Sequence, residues 1–84
     1  MDSSIKKEAK NLKPLVRVGK SGLNDSLIDE IKKHLKKRKL VKVKFLKNSI
    51  QTDLKGMASE IARLTASELV FVVGFTAVFY NKRK

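Results

Sequence analysis

The segment Leu15-Val16-Arg17-Val18-Gly19-Lys20-Ser21-Gly22 joins a short apolar stretch to a long basic one. Its first half alternates valine with arginine, which is the period of a strand that buries one face. The residues after it, Leu23 to Lys39, carry leucine and isoleucine at helical spacing and lysines on the opposite arc, so they predict an amphipathic helix. N–H groups at the start of a helix lack intrahelical partners, and the helix dipole is positive there. We therefore expect a phosphate-binding loop formed by Gly19, Lys20, Ser21 and Gly22.

Hydrophobic periodicity predicts the elements on either side of this loop. A first, weak helix covers Ser3 to Asn11 and ends before Pro14, because the residue before a proline is pushed out of the helical region. Asn24 or Asp25 can cap the basic helix. Leu40 to Phe45 then alternates apolar residues with lysine, as a half-exposed strand does.

The pattern of the C-terminal half predicts a third helix, which begins between Ser49 and Asp53 and ends near Thr65. A hairpin follows, with strands at Glu68 to Val73 and Thr76 to Asn81. Gly74-Phe75 between the strands has the glycine-first pattern of a type II′ turn. Leu69 to Val73 is apolar on both faces, so we expect a central strand covered on both sides.

The element order α-β-α-β-α-β-β predicts an α/β fold with a four-stranded mixed sheet and three helices, because helices between strands favour parallel pairing and a hairpin adds an antiparallel pair. A chain of 84 residues suits one compact domain, which we place at residues 1–84 with a short basic tail at 82–84.

The charge balance points to a polyanionic partner. Twenty Lys and Arg oppose eight Asp and Glu, for a formal net charge of +12. Such an excess fits RNA, DNA or an anionic membrane surface better than it fits a merely solubilising surface. The candidate contact residues beyond the loop are the cations of the basic helix and of the C-terminal tail, namely Lys32, Lys33, Lys36, Lys37, Arg38, Lys82 and Arg83.

Catalytic chemistry finds little support in the sequence. The loop resembles the end of a nucleotide-binding P-loop, but the glycine required five positions before Gly19 is Pro14. The chain has no cysteine, and its single histidine, His34, is predicted to be a helix-surface residue. We expect no enzyme activity, no cofactor and no metal site.

Membrane insertion is also not expected. The apolar run from Leu69 to Tyr80 is interrupted by Gly74 and is shorter than the roughly 20 residues that a spanning helix needs. The first ten residues lack the apolar core of a secretory signal. We expect a cytoplasmic protein, and a monomer rather than an oligomer.

Three segments in order resemble one known family: residues 12–23 (LKPLVRVGKSGL), residues 40–44 (LVKVK) and residues 73–80 (VGFTAVFY). They resemble the CRM domain (chloroplast RNA splicing and ribosome maturation), in particular its small stand-alone prokaryotic members. The resemblance implies a fold similar to the C-terminal domain of translation initiation factor three. It also implies RNA binding, in bacteria to precursors of the large ribosomal subunit, through a GxxG loop that would be Gly19 to Gly22. The family often has a basic residue after the tyrosine, whereas this chain has Asn81.

The leading hypothesis is an RNA-binding protein that binds structured ribosomal RNA through the GxxG loop and a basic surface, and that assists ribosome assembly or RNA folding. One alternative is a small chromatin-like DNA-binding protein. Another is a protein-interaction subunit that docks on acidic ribosomal partners through Phe75, at the hairpin tip, and through the lysines of the basic helix.

Overall fold

The computed structural model describes residues 3–19, 23–46 and 54–82. Its elements, in chain order, are α1 (Ser3–Lys10), β1 (Val16–Val18), α2 (Asp25–Lys37), β2 (Leu40–Phe45), α3 (Leu54–Thr65), β3 (Glu68–Val73) and β4 (Thr76–Tyr80). The predicted order and the predicted fold class are confirmed. The start that was predicted for the third helix, between Ser49 and Asp53, lies outside the described residues.

The four strands form one mixed sheet in the order β1-β2-β4-β3. β1 is parallel to β2, and the other two pairings are antiparallel. Val43 of β2 lies opposite Val16 on one side and Ala77 on the other, and all three side chains are buried. The register therefore gathers the valines of β1 and β2 on one face of the sheet.

α2 and α3 cover that face and form the main core with it. Ile28, Ile31 and Leu35 of α2 and Ala58 and Ile61 of α3 are buried against the strands. Their spacing of three and four residues puts them on one side of each helix, as the periodicity predicted. Leu64, which continues this spacing in α3, is 38% exposed because it lies at the helix end.

α1 packs on the opposite face of the sheet. Its fully buried Ala9 contacts a second cluster that contains Leu40 and Val78. The ammonium of Lys42 donates a hydrogen bond of 3.0 Å to the carbonyl oxygen of Leu12, just after α1. This hydrogen bond attaches the segment after α1 to the middle of β2. Lys42, which the alternating pattern of β2 predicted to be half-exposed, therefore also contributes to the fold.

The prediction that Leu69 to Val73 forms a central strand is wrong, because β3 lies at the edge of the sheet. Leu69 and Val72 pack on the main core, whereas Val70 and Phe71 pack on the α1 side. The pairing of β3 with β4 has a register shift between Leu69 and Phe71. Because of this shift, the consecutive residues Val70 and Phe71 contact the same cluster. The apolar run thus reflects helices on both faces, and β4 occupies the central position.

Two tight backbone reversals flank β3. Gly74 has φ of 57°, and Phe75 does not share a positive φ, which agrees with the predicted type II′ turn. α3 ends in a Schellman motif, with N–H of Ser67 bound to the carbonyl of Ala62 and N–H of Ala66 to that of Arg63. Ala66 takes the left-handed position of that motif, with φ of 55°, where glycine is usual.

Candidate nucleic-acid interface

The predicted loop leaves β1 at Gly19, and hydrogen bonds beyond the strands fix this point. Leu46 N–H donates to the carbonyl of Val18 over 2.9 Å, and Phe45 N–H donates to the carbonyl of Phe75 over 2.7 Å. Gly19, Leu46 and Phe75 therefore lie together at one end of the sheet, called the loop end below. Leu46 and Phe75 are 40% and 45% exposed. The loop end thus presents apolar surface beside the predicted phosphate-binding segment.

Gly19 is described, but Lys20, Ser21 and Gly22 lie outside the described residues, so their phosphate contacts stay a prediction. A Cβ added to Gly19 would lie 3.9 Å from Leu46 Cδ1, which is an ordinary contact, and the backbone there does not have a positive φ. Neither conformation nor packing among the described residues requires glycine at this position. A glycine there would let a ligand approach the backbone closely, as the predicted phosphate-binding loop requires.

The chain re-enters regular structure at Asn24. Its Oδ1 accepts a hydrogen bond of 2.9 Å from Leu27 N–H, while its own carbonyl accepts the bond from Ile28 N–H that begins the helix. One of the two predicted N-caps is thereby confirmed. The other candidate, Asp25, is the first residue of α2 and places a carboxylate in its first turn, where that charge competes with an incoming anion for the helix dipole.

Charges on α2 are divided along its length. Asp25, Asp29 and Glu30 are exposed in its first half, near the loop end. The predicted contact cations of α2 follow, and all five are exposed: Lys32, Lys33, Lys36, Lys37 and Arg38. Lys36, Lys37 and Arg38 therefore lie at the end of α2 opposite to Asn24 and the loop that precedes it, whereas Lys32 and Lys33 lie near the middle of the helix.

Asn81 brings the start of the C-terminal tail, Lys82, to that end of α2. Its Nδ2 donates to the carbonyl oxygen of Leu35 over 2.7 Å, and its backbone N–H donates to the carbonyl of Lys39 over 2.9 Å. The next residue, Lys82, is exposed, whereas Arg83 lies outside the described part of the chain. The cations of residues 32–38 together with Lys82 are called the basic end below.

A groove at the basic end adds hydrogen-bonding groups that the sequence analysis did not find. Its cavity of about 220 Å³ is lined by Lys32, Leu35, Lys36, Thr65, Ala66, Ser67 and Asn81. The Thr65 and Ser67 hydroxyls lie 2.7 Å apart, and Thr65 Oγ1 also donates to the carbonyl of Ile61. The ammonium groups of the groove suit phosphate oxygens, whereas the two hydroxyls already donate within the protein and can accept a hydrogen bond from a ribose hydroxyl. In the sequence, only Asn81, which stands where the family often has a basic residue, pointed to this groove. Thr65 and Ser67 gave no signal, because they are far from the lysines along the chain.

Two further contacts shape the charge on this surface. The Lys39 ammonium lies 6.0 Å from the centre of the Tyr80 ring, within the range of a cation–π contact. On α3, the Arg63 guanidinium binds the Glu60 carboxylate. This hydrogen bond lowers the pKa of Glu60 and raises the pKa of Arg63. Because these two charges neutralise each other, the C-terminal half of α3 adds little to the positive field of the basic end.

Within the described ranges, no group of three or more His, Cys, Asp or Glu residues is placed to hold a metal ion. Within the same ranges, no helix is both long enough and apolar enough to cross a membrane.

Comparison with known proteins places this geometry in a family. The model of the CRS1 / YhbY (CRM) domain matches residues 2–81. The chain belongs to the CRM domain family. The predicted resemblance is confirmed over nearly the whole chain, and it includes the segment in which the GxxG sequence follows β1.

Small prokaryotic members of the CRM family are similar to this chain. It is 35% identical over 80 residues to the "Probable RNA-binding protein YqeI" of Bacillus subtilis (strain 168), covering 95% of this chain and 82% of that protein. It is 33% identical to the "Probable RNA-binding protein MJ0652" of Methanocaldococcus jannaschii, over its full length but only 63% of that relative. The Staphylococcus aureus protein SAV1595, a candidate RNA-binding protein, is 36% identical to this chain in sequence. Its solution structure superposes on this one with a TM-score of 0.82, covering 96% of this chain and 83% of that one.

Proposed function

We propose that this CRM protein binds structured RNA through the phosphate backbone, without catalytic activity. The observation that carries the proposal is the basic end, where Asn81 joins the C-terminal tail to five exposed cations of residues 32–38. Like charges held this close repel one another, and a polyanion relieves that repulsion. Both named relatives carry RNA binding in their names, and this supports RNA over DNA or an acidic protein.

The finer proposal is that the ligand is ribosomal RNA, in a precursor of the large subunit, and that the protein assists its folding or assembly as a cytoplasmic monomer. The basic end offers exposed ammonium and guanidinium groups together with half-buried hydroxyl and amide groups, which suit contacts with phosphate and ribose. Such contacts read the shape of a folded RNA rather than its base sequence.

The proposal is tested by titrating a folded RNA hairpin at several salt concentrations. Lys36→Ala, Lys37→Ala should weaken binding and should reduce the slope of log affinity against log salt by about one unit for each phosphate that the protein no longer neutralises. The matched control is Lys6→Ala, Lys7→Ala, which removes the same charge from exposed positions of α1 on the other face of the sheet. Equal losses in both variants would show that only net charge matters. Preference for duplex DNA in competition would favour the chromatin-like alternative.

The identity of the RNA needs a separate experiment. Crosslinking of the protein to RNA in cells, followed by sequencing, should recover ribosomal RNA of the large subunit enriched over its cellular abundance. Recovery in proportion to abundance would contradict the ribosomal proposal while leaving RNA binding itself intact.

A further inference from the structure

α1 covers only part of the sheet face on which it packs. Its cluster contains Leu40 and Tyr80, at the end of the sheet near Asn81, together with Val78 and Phe71. Towards the loop end, the same face continues beyond this cluster. The side chains in that region belong to the strands, and their exposed fractions show which of them a ligand can reach.

One row of side chains crosses all four strands in this region. Arg17 of β1 pairs with Lys44 of β2, Lys44 pairs with Thr76 of β4, and Thr76 pairs with Val73 of β3. Arg17 and Lys44 are exposed, Thr76 is half-buried, and Val73 is 64% exposed. These four residues are called the open row. Strand spacing of about 4.8 Å makes the row roughly 14 Å long.

An aromatic ring and two more lysines adjoin the open row. A cavity of about 260 Å³ is lined by Lys10, Lys42, Phe71, Val73 and Thr76. Phe71 is half-buried, and Lys10 of α1 is exposed. The cavity therefore combines an apolar wall with ammonium groups and a hydroxyl.

The charge of this surface has one sign. Arg17 and Lys44 lie in the open row, and Lys10 and Lys42 line the cavity beside it. No acidic side chain of the described residues belongs to the row or to the cavity lining. Glu68, the acid of β3, pairs with Tyr80 at the far end of the sheet. An anionic ligand complements this arrangement.

The open row is also continuous with the loop end. Arg17 is two residues before Gly19, and Thr76 directly follows the exposed Phe75. An RNA strand whose phosphate lies on the GxxG loop can therefore continue onto the sheet. The basic end lies at the other end of α2, which packs on the opposite face, so the open row is a separate surface.

We propose that the open row binds an unpaired segment of RNA, with Arg17 and Lys44 on its phosphates and a base against Phe71. This inference rests on the proposed RNA-binding function. Unpaired bases can stack on aromatic side chains, whereas paired bases in an A-form helix are not accessible to them. The combination of an aromatic wall with flanking cations therefore selects a single strand over a duplex.

The test compares a folded RNA hairpin with the same hairpin carrying an unpaired extension of six nucleotides. The extension should tighten binding of the wild-type protein by about tenfold. Arg17→Thr, Lys44→Thr should abolish most of this gain while changing affinity for the bare hairpin by less than about twofold. Threonine suits an exposed strand position, so the fold should be retained. Phe71→Leu should reduce the gain by about fivefold, the lower end of what one stacked base contributes.

Two controls separate charge from position. Lys6→Thr, Lys7→Thr removes the same charge from exposed positions of α1 outside the row and the cavity lining, and it should preserve the gain. Arg17→Lys, Lys44→Arg keeps the charge in place and should preserve it too. Circular dichroism checks that each variant is folded.

The outcomes distinguish this inference from the proposed function. If the hairpin binds but the extension adds nothing, or if its gain survives Arg17→Thr, Lys44→Thr, the open row is not an RNA site and the proposed function stands. If the wild-type protein binds neither RNA, both proposals are overturned.

Discussion

The side-chain amide of Asn81 donates a hydrogen bond to the carbonyl oxygen of Leu35, 46 positions earlier in the chain. Leu35 lies in the last turn of α2, where carbonyl groups lack intrahelical donors. Asn81 thus supplies a donor that the helix cannot, and it fixes the end of β4 beside the cations of the basic end. The residue that departs from the usual family pattern has a structural role here.

Asn81→Ala should lower the free energy of unfolding by about 1–2 kcal/mol, because it leaves a partly buried carbonyl without this donor. Asn81→Asp should cost more, since it places a carboxylate oxygen against a carbonyl oxygen at nearly the same size. Urea denaturation measures both. A smaller loss for Asp than for Ala would contradict the assigned hydrogen bond.

Ala66→Gly should stabilise the protein by about 1 kcal/mol, because Ala66 holds the left-handed conformation in which a Cβ is unfavourable. The control is Ala62→Gly, within α3, which should destabilise by about 1 kcal/mol through lower helix propensity. Thermal denaturation should therefore give shifts of opposite sign for the same chemical change. Equal signs would exclude strain at Ala66 as the cause.

Lys42→Met should weaken the attachment of α1 to the sheet by about 1 kcal/mol, because the carbonyl of Leu12 loses its ammonium donor while the apolar stem is kept. Lys44→Met, two residues along the same strand and exposed, is the matched control and should change stability by less than about 0.5 kcal/mol. Hydrogen exchange of the α1 amides should accelerate in the first variant only. Unchanged exchange in both would show that α1 is held by its apolar contacts alone.

Gly19→Ala should separate binding from stability. The position has room for a Cβ and lacks a positive φ, so stability should be unchanged or raised by up to about 1 kcal/mol. Affinity for RNA should fall, because the added methyl group keeps a phosphate away from the backbone. Denaturation and hairpin titration of one preparation measure the two effects, and unchanged affinity would count against the GxxG loop as a phosphate site.

The Glu60–Arg63 pair predicts a small dependence of stability on pH. Arg63 lowers the pKa of Glu60 in the folded protein, so the stabilising contribution is complete above the ordinary carboxyl pKa. It is lost as the pH falls through the lowered folded-state pKa. The difference in denaturation midpoint between wild type and Glu60→Gln should therefore be present at neutral pH and shrink in acid. A difference that grows in acid would reverse the assigned sign.

The strongest local patterns predicted the fold well. The alternation in Leu40 to Phe45 gave β2 with the bounds that the structure has, and the helical spacing in α2 gave its buried residues. The position of β3 could not be predicted in this way. An apolar pattern reports which faces of a strand contact a core, and β3 contacts an apolar cluster on each face, but the pattern does not say which strands are its neighbours.

The candidate site was predicted less completely. The sequence shows directly that cations such as Lys36 and Lys37 are adjacent on one helix. Their separation from the GxxG loop follows from the direction of α2, which composition does not reveal. Asn81, Thr65 and Ser67 join the basic end through tertiary contacts between distant segments, and the open row exists only through strand register.

The direction of α2 has a consequence for the choice of RNA. A helix of 13 residues is roughly 20 Å long, so it sets a fixed distance between the loop that precedes it and the lysines of its last turn. An RNA that touches both must present two backbone segments at that separation. Base sequence does not enter this requirement. Under the proposed function, the protein would select among RNA folds by the spacing of their phosphates, and an RNA too flexible to hold that spacing would lose affinity to the entropy of being ordered.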